Sequence, residues 1–557
     1  MKKRILLLLF VSTLSNIYGL DYTNKTFLAS RAISTLQYMQ HLSFHRLLNE
    51  SKTLENPIGG SLQITRFYRE STNKTELGKY FGVNRKNKIT YGNATNYNLA
   101  GSTEDRIPTS KDIDRHWLIH RDDYFNSNAD TLARGPSELA GTLTLRPKHT
   151  ASGFLITYHH SLDTSNEKLF FKINVPVLTV KNDLNATVTE IKDLRLDKGI
   201  LDYLSGNIDL SNTTTLQYPL QYAKIDGEKR KSGLGDITLS VGYKFVEKED
   251  YQFNANLNFI LPTGSKANGR NLFEPILGNG KHVGVGIDIA TSLNIHRDDN
   301  FCIELLINGN VTRYFRGTEK RTLGFRNSLL TYEDPTSWGI GDLDNLELYD
   351  ADGDTVTTPT DAYGATFYFP TPLGIETTMA TLPWSYYFLG GKQDEKGVFP
   401  LANVLTQNVH VSPGASWNGS IGIAYHNKSC TFDVGYSFFS KDGEKITLKE
   451  TWQSDTYAPI SVTYNPEEAF NIMQHGDVGW NYDYLMSEGL AIKKEDLDTN
   501  TPATPAIFTQ TIYFGASFIF AKFDYPLMVG IGGSYELAND NSAIEGFNLW
   551  GKIGLTF

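Results

Sequence analysis

The 557-residue chain has two cysteines and six methionines, and behind its first nineteen residues it has no run of eighteen apolar side chains. Cys302 and Cys430 are too few for a disulfide framework, and neither stands in the Cys-x-x-Cys spacing that holds zinc. They read as small packing residues inside strands. The missing apolar run excludes a bundle of spanning helices, each of which needs about 20 such residues. Basic charge is not in excess either: 52 Lys and Arg stand against 62 Asp and Glu, which excludes nucleic acid as a partner class. What the chain has in quantity is Tyr and Phe, 30 and 31 of them, the composition of extended, half-exposed strands.

The first residues address the chain for export. Lys2, Lys3 and Arg4 precede an apolar run from Ile5 to Val11 and then small and polar residues to Gly19, the order of a signal peptide over 1–19. Its removal takes three basic residues away and moves the formal charge from −10 to −13. An exported chain without spanning helices is either released into water or closes into a barrel, the other architecture that satisfies every backbone group in lipid.

Period-two patterning favours the barrel. In GLGDITLSVGYKF (233–245), Ile237, Leu239, Val241, Tyr243 and Phe245 share one parity, while Asp236, Ser240 and Lys244 lie on the other. YQFNANLNFIL (251–261) sets Phe253, Leu257 and Phe259 against Asn254, Asn256 and Asn258. The same reading gives strands at 138–146, 153–162, 168–176, 282–295, 301–313, 415–426, 430–440, 507–520, 525–537 and 546–557. The expectation is an all-β, transmembrane antiparallel barrel of 12 strands over 138–557.

The connections support it. Counted back from a periplasmic carboxy terminus, 163–167, 246–250, 296–300, 426–429 and 521–524 are short turns on one side. Every long connection, 177–232, 314–414 and 441–506 above all, falls on the other side with 262–281 and 538–545. That asymmetry belongs to the outer membrane of Gram-negative-type bacteria. The closing strand carries Phe547, Leu549, Ile553, Leu555 and Phe557 on one parity, and its last three are similar to the terminal signal read by the barrel assembly machinery.

Residues 20–137 form an N-terminal segment that the sequence leaves open. Leu28, Ile33, Leu36, Leu42 and Leu47 have helical spacing over 27–50, and 59–71 reads as a strand. The segment is a plug, a periplasmic extension, or two more wall strands (59–69 with 86–98), which would make 14. In loop 314–414, Asp350, Asp352, Asp354 and Asp361 occupy positions 1, 3, 5 and 12 of a calcium-loop template, with Thr355 where the template has Gly. A solvated acidic loop explains the same residues, and calcium there is the one cofactor the sequence offers. Loop 441–506 is aromatic, with Trp452, Trp480, Tyr457, Tyr464, Tyr482 and Tyr484. Such loops fold over a mouth, form an interface belt or bind apolar ligands.

One constellation invites a catalytic reading. His159 and Ser161 make a His-x-Ser pair with Asn174 on the next strand, as in twelve-stranded outer-membrane phospholipases. Phe154, Ile156 and Tyr158 define the lipid-facing parity, so the pair points into the lumen at the periplasmic end. A lipase working on outer-leaflet lipid needs the reverse on both counts, and the chain is not expected to be an enzyme.

The inward parities collect Asp236, Lys244, Asn254, Asn256, Asn258, Asp288, Glu304, Asn308, Asn310 and Asp433. These either line a wet channel or bond to one another and to a plug, which gives a closed barrel. Lastly, the marks Gly-Leu-Gly-Asp (233–236), Pro-Thr-Gly (262–264) and Gly-Asn-Gly (278–280) resemble outer-membrane proteins of the phenol-degradation MetA-like group, similar in style to the fatty-acid transporter (FadL-like) barrels. The resemblance implies passage of small molecules, hydrophobic ones among them. The N-terminal segment lacks the Asn-Pro-Ala mark of the fatty-acid transporter hatch. A surface or adhesion barrel acting through its long loops is the alternative, and the oligomeric state is not readable.

Overall fold

The computed structural model describes residues 24–36, 39, 59–83, 85–92, 113–114, 140–162, 168–191, 199–209, 217–248, 250–298, 300–325, 348–349, 355–356, 384–392, 397–427, 429–454, 456–459, 492–520, 525–538 and 541–557. Twelve antiparallel strands close into a ring. They are β1 (Gly60–Ser71), β2 (Lys148–Ser161), β3 (Leu169–Asp183), β4 (Ile237–Glu247), β5 (Tyr251–Leu261), β6 (Gly284–Arg297), β7 (Phe301–Tyr314), β8 (Ala415–Asn427), β9 (Cys430–Lys441), β10 (Ile507–Phe520), β11 (Leu527–Ala538) and β12 (Gly546–Thr556). Each pairs with its sequence neighbour, and β1 closes on β12 with Ser61 opposite Thr556 and Ser71 opposite Gly546. A short strand, Lys229–Leu234, continues the wall upward on β3, which pairs with β4 only through Leu169–Asn174. Strands of 11 to 15 residues meet or exceed the roughly 9–11 that a tilted strand needs to cross a bilayer.

The count of twelve agrees with the sequence reading, but its membership differs at one place. The strand expected at 138–146 forms as Ala140–Thr144, outside the wall, in a four-stranded sheet with Lys88–Gly92, Ile113–Asp114 and Thr187–Ile191. Its place is taken by β1, so the wall begins at Gly60 and not at 138; of 86–98, the described strand Lys88–Gly92 belongs to that four-stranded sheet, and 93–98 lie outside the described residues. The reason lies in closure: β12 presents an edge of unpaired backbone groups, and β1 pairs it in register over its whole length while also pairing β2. A strand as short as Ala140–Thr144 cannot do this.

Alternation of side chains then sorts the wall into two faces. Outward residues such as Ile287, Phe432, Ile512, Phe514, Ile531 and Ile553 are exposed, a continuous apolar surface that only lipid can cover. Aromatic rings gather near the turn end, where Phe301 stacks on Tyr425 at 5.6 Å and Phe518 meets Phe520 at 4.8 Å, and again near the other end at Tyr68 and Phe547. Such girdles mark the two interfaces of a membrane. Phe557, Leu555 and Ile553 face outward at the turn end, and Gly60 lies where a Cβ would meet the Phe557 ring at 2.5 Å. Among the described residues no helix is long and apolar enough to cross a membrane.

At the end opposite the short turns the connections pack into a collar with its own core. Phe81 of helix α1 (Lys74–Phe81), Tyr203 of helix α2 (Ile200–Ser205), Phe273, Trp384, Tyr387 and Leu405 are all within 1% of full burial. Burial pushes the Tyr203, Tyr386 and Tyr387 hydroxyls up from the usual phenol range. The Tyr203 and Tyr387 hydroxyls donate to the carbonyls of Tyr387 and Ala223 at 2.6 Å each. Trp452 belongs to the same core and donates to the Ile492 carbonyl at 2.8 Å. Trp480, Tyr464, Tyr482 and Tyr484 lie outside the described residues, as do Asp350, Asp352, Asp354 and Asp361.

The glycine-marked run meets at one side chain of this collar. Asp236 accepts from the Gly264 N–H (2.9 Å), the Asn279 N–H (2.6 Å) and the Asn279 Nδ2 (3.2 Å). The Thr263 hydroxyl bonds to the Gly235 carbonyl at 2.6 Å. Gly278 and Gly280 have φ of 83° and 74°, and the turn between them aims Asn279 at the carboxylate. Asp236, expected in the lumen, is thus bonded to the β5–β6 loop and staples it to the foot of β4.

Candidate functional site

The lumen is where side chains of many strands converge. Most of the other residues expected there lie on the parity opposite the exposed apolar side chains. Asn256 donates from Nδ2 to Asn258 (2.8 Å) and to Asp288 (3.0 Å), the Ser240 hydroxyl donates to Asn258 (2.6 Å), and Asn310 donates to Asp288. Asn308 donates to the Ser420 hydroxyl at 3.3 Å. Nearer the turn end, Lys244 lies 3.4 Å from Glu247, Glu304 lies 3.3 Å from His426, and Asn254 stands opposite Lys244 in register. Asp433 is buried beside Gly515, whose missing Cβ leaves room for the carboxylate. The wet parity thus forms a ladder across neighbouring strands, running from Ser240 through Asn258, Asn256 and Asp288 to Asn310.

His159 is fully buried near the turn end, ringed by Phe170 at 5.0 Å. Asn174 accepts instead from the Thr157 hydroxyl at 2.8 Å. In register His159 stands opposite Lys172, and Asn174 opposite Thr157. Neither Cys302 nor Cys430 is in a disulfide, and the Cys302 thiol donates to the Asn294 side-chain oxygen at 3.2 Å. Among the described residues no group of three His, Cys, Asp or Glu could hold a metal ion.

Residues 24–36 and 39 occupy the collar half of the lumen. Of the helix expected over 27–50, residues 27–32 are not helical, a 3₁₀ turn covers Ile33–Thr35 and Met39 is helical, while Leu42 and Leu47 lie outside the described residues. The described apolar residues of that spacing meet different surroundings in turn. Leu28 joins the collar core, Phe27 packs with Ala267 and Ile276, and Ile33, Leu36 and Met39 pack with Phe67, Tyr513 and Trp550 of the inner wall. Inward glycines make room for the rings: a Cβ at Gly532 would meet Trp550 at 2.4 Å, and one at Gly435 would meet the Tyr513 hydroxyl at 2.2 Å.

The segment is tied at both levels. In the collar, the Lys25 N–H donates to the Tyr80 carbonyl (2.7 Å), its ammonium to the Asn500 carbonyl (2.9 Å), and the Thr26 hydroxyl to the Thr322 carbonyl (2.7 Å). Lower down, Asn418 of β8 donates to the Thr35 carbonyl at 2.8 Å, and Asn548 of β12 lies 3.0 Å from the Met39 sulfur. Between these, Arg31 reaches Glu536 of β11 at 2.9 Å, and Arg69 of β1 holds the other carboxylate oxygen at 2.7 Å. A reciprocal contact sits above, where Arg321 lies 3.4 Å over the Phe27 ring.

Arg31, Arg69, Glu536 and Phe439 are the residues that sequence reasoning missed. Parity alone would have turned Glu536 inward, because Val529, Ile531 and Tyr535 take the lipid side. Nothing in the sequence pairs it with a residue 505 positions away.

No family model matches the chain, and no curated protein matches it. Among solved structures it is similar to an outer membrane channel from Pseudomonas putida F1, at 10% identity and a TM-score of 0.35, over 90% of this chain and 97% of that one. It is also similar to a Pseudomonas aeruginosa FadL homologue (8% identity, TM-score 0.27, 92% of each chain). A third similarity is to the Ralstonia pickettii toluene transporter TbuX (9% identity, TM-score 0.26, 95% of this chain and 94% of that one).

Proposed function

We propose that the protein is an outer-membrane channel for small molecules with apolar parts, held shut by its own residues 24–39. In this reading the leader exports the chain, Phe557, Leu555 and Ile553 present it to the assembly machinery, and the collar faces the exterior. The observation that carries the channel reading is an apolar band inside an otherwise polar wall. Phe67, Tyr513, Trp550 and Leu306 point into the lumen and are covered by Ile33, Leu36 and Met39. Such a band is unfavourable against lumen water and favourable against an apolar solute. The segment and the solute then compete for one surface, so the segment is a gate. Lys244, Asn254, Asn256, Asn258, Asp288, Glu304, Asn308, Asn310 and Asp433 supply the wet path below it.

The test is single-channel conductance in a planar bilayer. The deletion must stop short of Gly60, because loss of β1 would open the wall itself. Mature protein is expected to stay closed for most of the record, and a variant lacking 20–39 to give stable conductance steps. Silence from both would refute the channel and leave the loops, acting on a surface partner, as the functional part.

A further inference from the structure

The contact between Arg31 and the wall has an unusual distribution of partners. Arg31 spends Nε on the Thr35 hydroxyl (3.1 Å) and Nη2 on the Thr35 carbonyl (3.0 Å), both within its own segment. The wall gives its guanidinium two things, one oxygen of Glu536 and the face of Phe439, whose centroid is 4.2 Å from the guanidinium carbon, while Arg69 donates to the Arg31 carbonyl at 3.5 Å. That oxygen also accepts from the Thr509 hydroxyl at 2.6 Å. The second oxygen of Glu536 belongs to Arg69, which donates further to the Ile544 carbonyl at 3.2 Å. The Arg31 and Glu536 side chains are 2% and 3% exposed.

This arrangement survives the departure of Arg31. A buried carboxylate stripped of its sole cation is strongly unfavourable. Here Arg69 keeps Glu536 compensated, so the wall remains neutral and in place with an acceptor oxygen and an aromatic face turned to the lumen. Those are the two elements that recognise an organic cation, and a planar guanidinium best, since it donates at its edge while its face stacks. We infer that Glu536, Thr509 and Phe439 form a binding site for guanidinium-bearing solutes, occupied in the closed channel by the chain's own Arg31. The inference rests on the gating assigned to residues 24–39, because a solute enters the site only when Arg31 leaves it. A tethered group competes at an effective concentration on the order of millimolar. Wild-type protein therefore responds to such solutes only above that range.

Chemical rescue of the full-length Arg31→Ala protein tests the site. The substitution is expected to raise channel opening about 30-fold or more. Methylguanidinium at tens of millimolar (on the order of ten times the tether concentration) should close it again, and methylurea, of the same shape without the charge, should not. Adding Phe439→Leu should weaken the rescue about fivefold while leaving Glu536 and Arg69 paired. Calorimetric titration of methylguanidinium into the same Arg31→Ala protein is read in parallel. Binding that depends on Phe439, with no effect of Arg31→Ala on opening, would sink the gating and keep the site. Opening without binding or rescue, or equal rescue by methylurea, would overturn the site and keep the gate.

Discussion

Asp236→Asn should loosen the collar without touching the barrel. The carboxylate holds three donors, the N–H groups of Gly264 and Asn279 and the Asn279 amide, and Asp236 is 1% exposed. Asparagine offers one oxygen. If it keeps Gly264, its own NH₂ faces the Asn279 N–H, so a buried donor meets a donor and a charge-assisted bond is lost. Hydrogen bonds to a charged group contribute about 1.5–3 kcal/mol each, and an orphaned buried donor costs about 1–3 kcal/mol. Against this, a buried charge is removed, which restores part of the desolvation cost. The balance is about 2 kcal/mol, or about 30-fold in the opening equilibrium of the loop.

The measurement is the rate of proteolysis within 262–281 under conditions where the loop opens and recloses faster than it is cut. The rate then tracks the open population. An increase of about 30-fold is expected, and the larger loss in Asp236→Ala should exceed it. The temperature at which the barrel unfolds should stay put, because the ladder from β1 to β12 does not run through Asp236. An unchanged cleavage rate would refute the staple, and a drop in barrel stability of the same size would show that Asp236 supports the wall.

Arg31→Ala should lower the closed-to-open ratio by about 30- to 150-fold, since truncating a buried charge partner costs about 2–3 kcal/mol when Arg69 still compensates Glu536; conductance records read it directly. The collar should also loosen in acid. Burial pushes the Glu319 carboxyl up, but Arg321 and His282 more than offset this and hold it below the usual carboxylate range. A depressed carboxylate contributes stability above its unfolded value of about 4.3 and loses it as pH falls through the lower folded value. Protease cleavage of the collar should therefore rise below about pH 4, and the rise should vanish in Glu319→Gln. Calcium should protect 350–361 from protease if Asp350, Asp352, Asp354 and Asp361 chelate it, and equal cleavage with and without calcium removes that proposal.

Much of the barrel was legible because its physics is local. A strand with lipid on one side and lumen on the other must alternate, and 251–261 and 507–520 are strands with the same ends in sequence and structure. Parity likewise put Asn256, Asn258 and Asp288 on the inner face, where they bond to one another. The glycine marks at 233–236, 262–264 and 278–280 were visible as motifs, but only the folded loops show that all three serve the carboxylate of Asp236. Which strand closes the ring was a tertiary decision. Residues 59–71 and 138–146 both read as strands, and only the length and register of the edge left by β12 select β1.

The N-terminal segment was least legible. Helical spacing at Leu28, Ile33 and Leu36 was real, yet Leu28 meets the collar core while Ile33 and Leu36, at a single 3₁₀ turn, meet the inner wall. Sequence by itself determined what is set between neighbours along a strand: an all-β barrel, its inner and outer faces, and the side of its long loops. Tertiary structure alone decided what depends on partners hundreds of residues apart, the closing strand, the Asp236 staple and the Arg31 to Glu536 contact, because no local pattern encodes which distant surface a side chain will find.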